Sequence, residues 1–484
     1  MPISGYTGSP SAETCIKKWL RNCEQHHQCR PLKESRLPKR LVDVRNTDKI
    51  SLYCTNEAES GTYACLSHCW GTAPTLRTTS DTMFNYTSSI SWSTLPQIYR
   101  HAIKVVNKLD IPFLWIDSLC IVQDSEEDWV AESAKMADIY SRAVLTIAAS
   151  LAERDTDALF SHAPNPYSSS LLSSFNGIDV FVRMTMDHGH GPAPLPLLNR
   201  AWVLQERLLS PRIVHFTHQE LVWECMEQLT CECGCIRSLW SPGHVPFDKD
   251  LLYEPVLARS STQDIHERWR RLVQEYSRLQ LTHDRDKLPA ISGAARRFSG
   301  FMRKEYLAGL WGDKLLSDLL WERVGNISVL NYIEGIPSWS WMAAGIQVAY
   351  DECMSTQELA VLVSASCNHG RRGDQFGQIH GGEIKLLASI VPLSELSQFH
   401  GEPGYSLILD DIEALASPNL LCAKIAIRYT VYGSGLDEGI WLVLLPVIFE
   451  EPVKYRRVGI LKLASNSSPF EQSEGSNLET VIVI

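Results

Sequence analysis

From residue 62 to residue 149 the chain alternates short apolar runs with amphipathic stretches. The runs TYACLSHCW (62–70), FLWIDSLCIV (113–122) and AVLTIAA (143–149) are too short for typical helices and apolar nearly throughout. That is the pattern of strands buried on both faces. Between the first two, Ile98, Ala102, Val105, Val106 and Leu109 recur on one helical face behind Thr94 and Pro96, and this predicts a helix entered through the proline. Between the second and third, Ser125 and Asp128 form an acidic variant of the capping box, and Trp129, Met136, Ile139 and Tyr140 turn inward. Strands and helices alternating in this way predict an α/β unit with a mostly parallel sheet covered on both faces.

The flanks read differently. Cys15 to Arg21 is a short amphipathic helix, followed by the Cys/His run CEQHHQC (23–29) and a proline-containing connector. Residues 151–195 are polar and rich in Pro, Gly and Ser, as in HAPNPYSSS and DHGHGPAPLP, the composition of a long excursion. The pattern resumes with a helix, NRAWVLQERLL, and a strand, RIVHFTHQELVWEC. From residue 262 to 325, WRRLVQEYSRLQL and YLAGLWGDKLLSDLLW carry heptad-like apolar spacing and predict a helical module. Beyond Pro337, alternating runs with Gly-rich turns predict an antiparallel β unit, with a frayed tail after Ser465. The expected organisation is a lead segment (1–50), an α/β domain (51–240), a helical module (262–330) and a β-rich unit (337–465). At 484 residues the chain is too long for one core, which agrees with several units.

A formal charge of −11 argues against gripping nucleic acid through a basic field. The most apolar stretch, Ile440 to Phe449, is half the length of a membrane helix and contains Pro446, so no membrane span is expected. The first residues lack a basic region followed by an apolar core, and the expected location is intracellular, in the cytoplasm. In that compartment the 14 cysteines are expected as reduced thiols.

Three blocks carry a resemblance. YACLSHCWG (63–71), FLWIDSLCIVQDSEEDWVAESAKMADIYSRA (113–143) and NRAWVLQERLLSPRIVHF (199–216) resemble, in order, the three motifs of the fungal heterokaryon incompatibility (HET) domain family. Where that family has Arg-Gly-Trp-Thr-Leu-Gln-Glu-Arg, this chain has Ala201 and Val203 in place of the Gly and Thr, and keeps Gln205, Glu206 and Arg207. The resemblance implies a role in nonself recognition leading to programmed cell death, with a protein partner that is itself an incompatibility or regulatory protein. It also implies kinship with Toll/interleukin-receptor domains, which are flavodoxin-like and in some cases cleave NAD.

In an open parallel sheet, ligands meet the carboxyl ends of the strands. His68 and Trp70 fall there, as do Asp117, Cys120 and Gln123. A thiol at Cys120, an imidazole at His68 and a carboxylate at Asp117 could act as nucleophile, base and orienting group. The competing reading makes His68 a packed imidazole, Asp117 a loop brace and Cys120 a small core residue. If NAD is the substrate, Glu206 would stabilise an oxocarbenium-like ribose, Trp70 or Trp202 would stack on the base, and Gln123, Gln205 and Arg207 would complete the ligand contacts. The competing reading there is a Glu–Arg ion pair tying the helix to the sheet. Two clusters, Cys23, His26, His27 and Cys29, and Cys225, Cys231, Cys233 and Cys235, have metal-compatible side chains. Each is spaced too tightly for the usual pair of CxxC knuckles, so thiols are expected in place of a zinc ion. The loop histidines His188 and His190 read as mobile surface, and Trp339 and Trp341 as packing under the β unit. Two functions stand: a HET-domain effector, or an enzyme of fungal secondary metabolism using the same crevice in NAD cleavage or Cys-dependent hydrolysis or transfer.

Overall fold

The computed structural model describes the chain apart from residues 1–2, 30–33, 57, 72–75, 168, 176–177, 185–194, 235–248, 326–332, 344, 352–354, 371–374, 403, 430–436, 448–451 and 465–477. His188, His190 and Cys235 lie outside the described residues. The chain divides into two compact units, Met1–Val256 and Leu257–Ile484.

The first unit opens with α1 (Pro10–His26), longer than the seven residues its apolar spacing suggests. Ser9 caps it by accepting the Ala12 N–H, and Pro10 at the first turn has no N–H to leave unsatisfied. Next come β1 (Arg40–Asp43), β2 (Ser51–Cys54), β3 (Tyr63–Ser67), α2 (Ser80–Ser88), α3 (Gln97–Lys108) and β4 (Phe113–Trp115). The chain continues through α4 (Asp117–Cys120), α5 (Glu126–Ser133), α6 (Met136–Arg142) and β5 (Leu145–Ala148). Pro96 stands at the start of α3, and Ile98, Ala102, Val105 and Val106 are buried along it. Ser125 caps α5 by accepting the Asp128 N–H. The Asp128 carboxylate does not close a capping box. It binds Arg40, Lys39 and the Val122 N–H instead. One expected helix is therefore two, broken between Ser133 and Met136.

The excursion that follows holds a hairpin, β6 (Ser170–Phe175) and β7 (Ile178–Val182), whose Leu171, Leu172, Phe175 and Phe181 are exposed. The unit closes with α7 (Ala201–Leu209), β8 (Arg212–Phe216), β9 (Leu221–Cys225) and β10 (Leu229–Cys231).

Eight strands form one sheet in the order β10-β9-β8-β5-β3-β4-β1-β2. The inner four, β8, β5, β3 and β4, are parallel and buried along their whole length, as their apolar runs require. The pairs at both edges are antiparallel. The sheet is thus mixed, which corrects the mostly parallel expectation. Local hairpins, which can only pair antiparallel, join β1 to β2 and β8 to β9 to β10, and β1 also runs antiparallel to the sequence-distant β4. In chain order the parallel strands lie 2-1-3-4. The chain leaves β3 first toward β4, then returns to the other side at β5, so the switch point lies between β3 and β5.

The second unit contains the helices Thr262–Ser277 and Lys287–Ser299, but the heptad-like segment after them is helical only over Leu315–Asp318. Tyr306 pairs with Trp311 and Leu307 with Leu310 in a tight hairpin. Its two turn residues, Ala308 (φ 46°) and Gly309 (φ 94°), both have positive φ, the backbone of a hairpin turn. Gly309 also receives two indole N–H groups on its carbonyl, from Trp269 and Trp341, and a Cβ there would sit 2.6 Å from Trp341 Nε1. The apolar residues that mimic heptads here serve a buried aromatic cluster. Trp339 and Trp341 are buried, as expected. Beyond Pro337 a nine-stranded, largely antiparallel sheet follows, and Ile440 falls in its strand Glu438–Val447. The tail is not frayed at its end. Glu479–Val483 inserts between Ile379–Ala388 and Lys454–Ala464, burying Val481 and Val483.

Candidate functional site

The switch point places β3 so that Ser67, His68 and Trp70 leave its carboxyl end beside Asp117, which leaves β4. Gly71 turns the chain away with φ 73°, where a Cβ would press against Arg154 at 3.0 Å. The Trp70 indole N–H donates to Asp117 Oδ2 at 2.9 Å. The other Asp117 oxygen accepts the Ser118 N–H at 2.8 Å and lies 3.8 Å from His68 Nδ1. His68 Nε2 and Tyr99 Oη are 3.0 Å apart, and Tyr99 Oη meets Ser118 Oγ at 2.7 Å. The polar groups thus form an open ring from Asp117 through Ser118 and Tyr99 to His68, with no hydrogen bond across the 3.8 Å between His68 Nδ1 and Asp117. Burial lowers the His68 pKa against the opposing pull of Asp117, so the imidazole is neutral near pH 7.

Around this ring the half-buried residues are Trp70, Asp117, Gln123 and Arg200. Gln123 donates to the carbonyls of Asp117 and Ile121 and so shapes the loop. Arg200 donates to the His68 carbonyl at 3.0 Å and ties the start of α7 to the end of β3. Arg200 and Tyr99 are absent from the residues that the sequence places at this end of the sheet. Arg200 opens the third motif block and could have been found there; Tyr99 lies on a helix face that periodicity assigns to the core.

Glu206 lies beneath the rim, 6% exposed. Ser67 Oγ donates to its carboxyl at 2.5 Å, and Tyr140 also hydrogen-bonds it. Burial pushes its pKa up to about 7, with Asp117 adding to the rise and the Ser67 bond and Arg200 opposing it. It does not pair with Arg207. A Glu–Arg ion pair does tie this helix to the sheet, but it is Arg207 with Glu224, since the adjacent helical positions 206 and 207 face apart. Arg207 Nε and Nη2 reach the two Glu224 oxygens at 2.7 and 3.0 Å, and His215 Nε2 approaches the same carboxylate at 3.2 Å. Glu224 is depressed to about 2: burial pushes it up, but Arg207, His215 and the Lys249 ammonium outweigh that. The Arg207 fork is therefore already occupied.

The structure brings His68, Asp117 and Glu206 to one end of the sheet, where the Asp117 charge acts on both of the others. Cys120 is fully buried in the hydrophobic core. Burial pushes its thiol up to about 12, so it is a packed thiol rather than an available thiolate. Gln205 is buried on α7, and the half-buried Trp202 packs against the same core.

The two Cys/His clusters are split and recombined by the fold. His26 is exposed, its ring beside the Asn22 carbonyl. Cys23, His27 and Cys29 from the end of α1 instead meet Cys225 at the end of β9, with all four ligand atoms within 4.8 Å of one another. Cys231 and Cys233 form a separate group with Glu220, whose carboxylate already accepts the Cys233 N–H at 2.7 Å. Cys23, Cys29, Cys120 and Cys225 are free thiols.

Residues 63–206 match the family model described as heterokaryon incompatibility protein (HET). The match begins with β3 and ends at Glu206, so it spans the whole rim and the buried carboxyl beneath it. No curated protein and no solved structure matches the chain.

Proposed function

This chain carries a HET domain at residues 63–206, and from that premise we propose that it is a fungal effector of nonself recognition whose activation ends in programmed cell death. The observation that carries the reading to a surface is the rim. Trp70, Asp117, Gln123 and Arg200 are half-buried polar and aromatic groups at the switch point of an α/β sheet, the place where such sheets present ligands. The 2-1-3-4 order of the parallel strands supports the comparison with flavodoxin-like Toll/interleukin-receptor domains. In this reading the protein works in the cytoplasm and meets an incompatibility or regulatory protein as partner.

A second reading, NAD cleavage at the same rim, is favoured by Glu206. The pKa of its carboxyl is raised to about 7, as a group that changes charge during reaction would require. Asp117 would then face the ribose, with Trp70 against the base.

Inducible expression of the full chain in a filamentous fungus tests the proposal. Wild type is expected to arrest growth and admit vital dye, whereas Trp70→Ala and Asp117→Asn are expected to lose at least about tenfold in killing while keeping the wild-type melting temperature, since both change half-buried groups. A harmless wild type, or variants that kill equally well, would overturn it. Purified protein incubated with NAD separates the two readings: nicotinamide release lost in Asp117→Asn supports cleavage, and killing without release leaves the effector acting through a partner.

A further inference from the structure

We propose that Cys23, His27, Cys29 and Cys225 hold a structural zinc ion that fastens the C-terminal end of α1 to the end of β9 in the first unit.

The geometry comes first. A zinc ion with sulfur at about 2.3 Å and nitrogen at about 2.0 Å in a tetrahedron places its ligand atoms roughly 3.5 to 3.8 Å apart. The four ligand atoms here already lie within 4.8 Å of one another, and Cys225 Sγ to His27 Nδ1 is 3.3 Å. Small rotamer adjustments close the set around one ion. Three cysteines and one histidine are a donor set that structural zinc favours and harder ions such as calcium or magnesium do not.

The chain reaches this arrangement for a local reason and a distant one. Helix α1 ends after His26, and the His27 N–H still bonds the Cys23 carbonyl, so Cys23 and His27 lie on one face, four residues apart. Leaving the helix in extended backbone, the chain brings Cys29 back to the same point. The fourth ligand arrives from a strand almost two hundred residues later. Trp19 stacks on Trp223 at 5.9 Å between the ring centroids, which sets α1 against β9 beside the cluster.

The surroundings suit a thiolate-rich ion. Cys23, Cys29 and Cys225 are buried, and three thiolates with one Zn²⁺ leave a net charge of −1. Arg212 Nε donates to Cys23 Sγ at 3.2 Å, and a second buried cation, Lys249, lies within electrostatic reach of Cys225 and Cys29. The Glu227 backbone also bonds Cys225. Donors aimed at ligand sulfurs and nearby positive charge are what stabilises such a site. On binding, each thiol loses its proton to solvent and each sulfur forms a bond to zinc, with no change of oxidation state. Cross-linking positions so distant in sequence removes much of the freedom of the unfolded chain, and the site adjoins Glu224, which anchors α7 and so the Glu206 carboxyl.

The test uses untagged full-length protein purified without chelator. Elemental analysis is expected to find about one zinc per chain, falling below about 0.2 in Cys225→Ser and His27→Ala and staying near one in Cys231→Ser, which alters only the neighbouring group. Should Cys225→Ser fail to fold, wild type refolded with cobalt decides the matter. Strong d–d bands of tetrahedral cobalt with thiolate-to-cobalt charge transfer are expected, and octahedral bands or none overturn the site. Wild type lacking zinc with its thiols reduced, wild type with two of these cysteines in a disulfide, or zinc retained in Cys225→Ser would each overturn it as well.

Discussion

Arg207→Ala is expected to destabilise the first unit by about 3 to 5 kcal/mol, because it strands a buried carboxylate. The Arg207–Glu224 pair has both side chains about 5% exposed, so solvent does not replace the lost partner. For a unit of this size the loss corresponds to a fall of roughly 10 °C in melting temperature. Glu224→Gln should cost at least as much, since Arg207 and Lys249 would then face each other without the charge that neutralises them. The pH dependence has a defined sign. Glu224 is depressed in the folded protein, from 4.5 to about 2, so its contribution is present above pH 4.5 and disappears as pH falls toward 2. Thermal melts of wild type and both variants at neutral pH check the ranking, and an Arg207→Ala melting temperature within about 2 °C of wild type would sink it.

Glu206→Gln is expected to act in the opposite sense. The folded pKa of Glu206 is raised from 4.5 to about 7, so the folded state holds a proton that the unfolded chain has released across that interval. Stability linked to Glu206 is therefore complete below pH 4.5 and is lost as pH rises through 7. With about 1.4 kcal/mol for each pKa unit, the penalty above pH 7 is on the order of 3 kcal/mol. Glutamine keeps an acceptor for Ser67 and cannot ionise, so the variant should be the more stable protein at pH 8 and no more stable at pH 4. Glu232 is also raised to about 7 and gives both proteins a shared slope, which cancels in the difference between them. Urea unfolding at the two pH values reads the effect. A variant equally stable or weaker at pH 8 would show that Glu206 is not strained by its burial. A more stable variant that loses killing would mark Glu206 as a group kept at a cost in stability for its function.

Much of the first unit is legible in the residues. Buried strands announce themselves as short apolar runs, Pro96 and Ser125 mark helix starts, and the three HET blocks land on β3, on β4 with the helices that follow it, and on α7 with β8. Those signals are local: a run of four to eight residues and a cap decide them. The second heptad-like segment misleads for the same reason. Tyr306, Leu307, Leu310 and Trp311 fit a helical period, yet Ala308 and Gly309 turn the chain, and the aromatic cluster around Trp269 rewards a hairpin. Packing won over period.

The site divides along the same line. His68, Trp70, Asp117 and Gln123 follow from their positions after strand ends, because strand direction alone decides which residues reach that edge of the sheet. The partners of Glu206, Arg207 and Cys225 do not follow. Ser67 reaches Glu206 across 139 residues, and His27 meets Cys225 across 198. Spacing within each Cys/His cluster groups residues that the fold separates, such as His26 from Cys23, His27 and Cys29. By itself the sequence determined the α/β character of the first unit, the order of its central elements and its HET motifs, all of which depend on periodicity and side-chain type over a few residues. Only the tertiary structure decided which carboxyl has its pKa raised, which arginine is occupied and which four ligands converge, since burial and charge pairing are properties of neighbours in space.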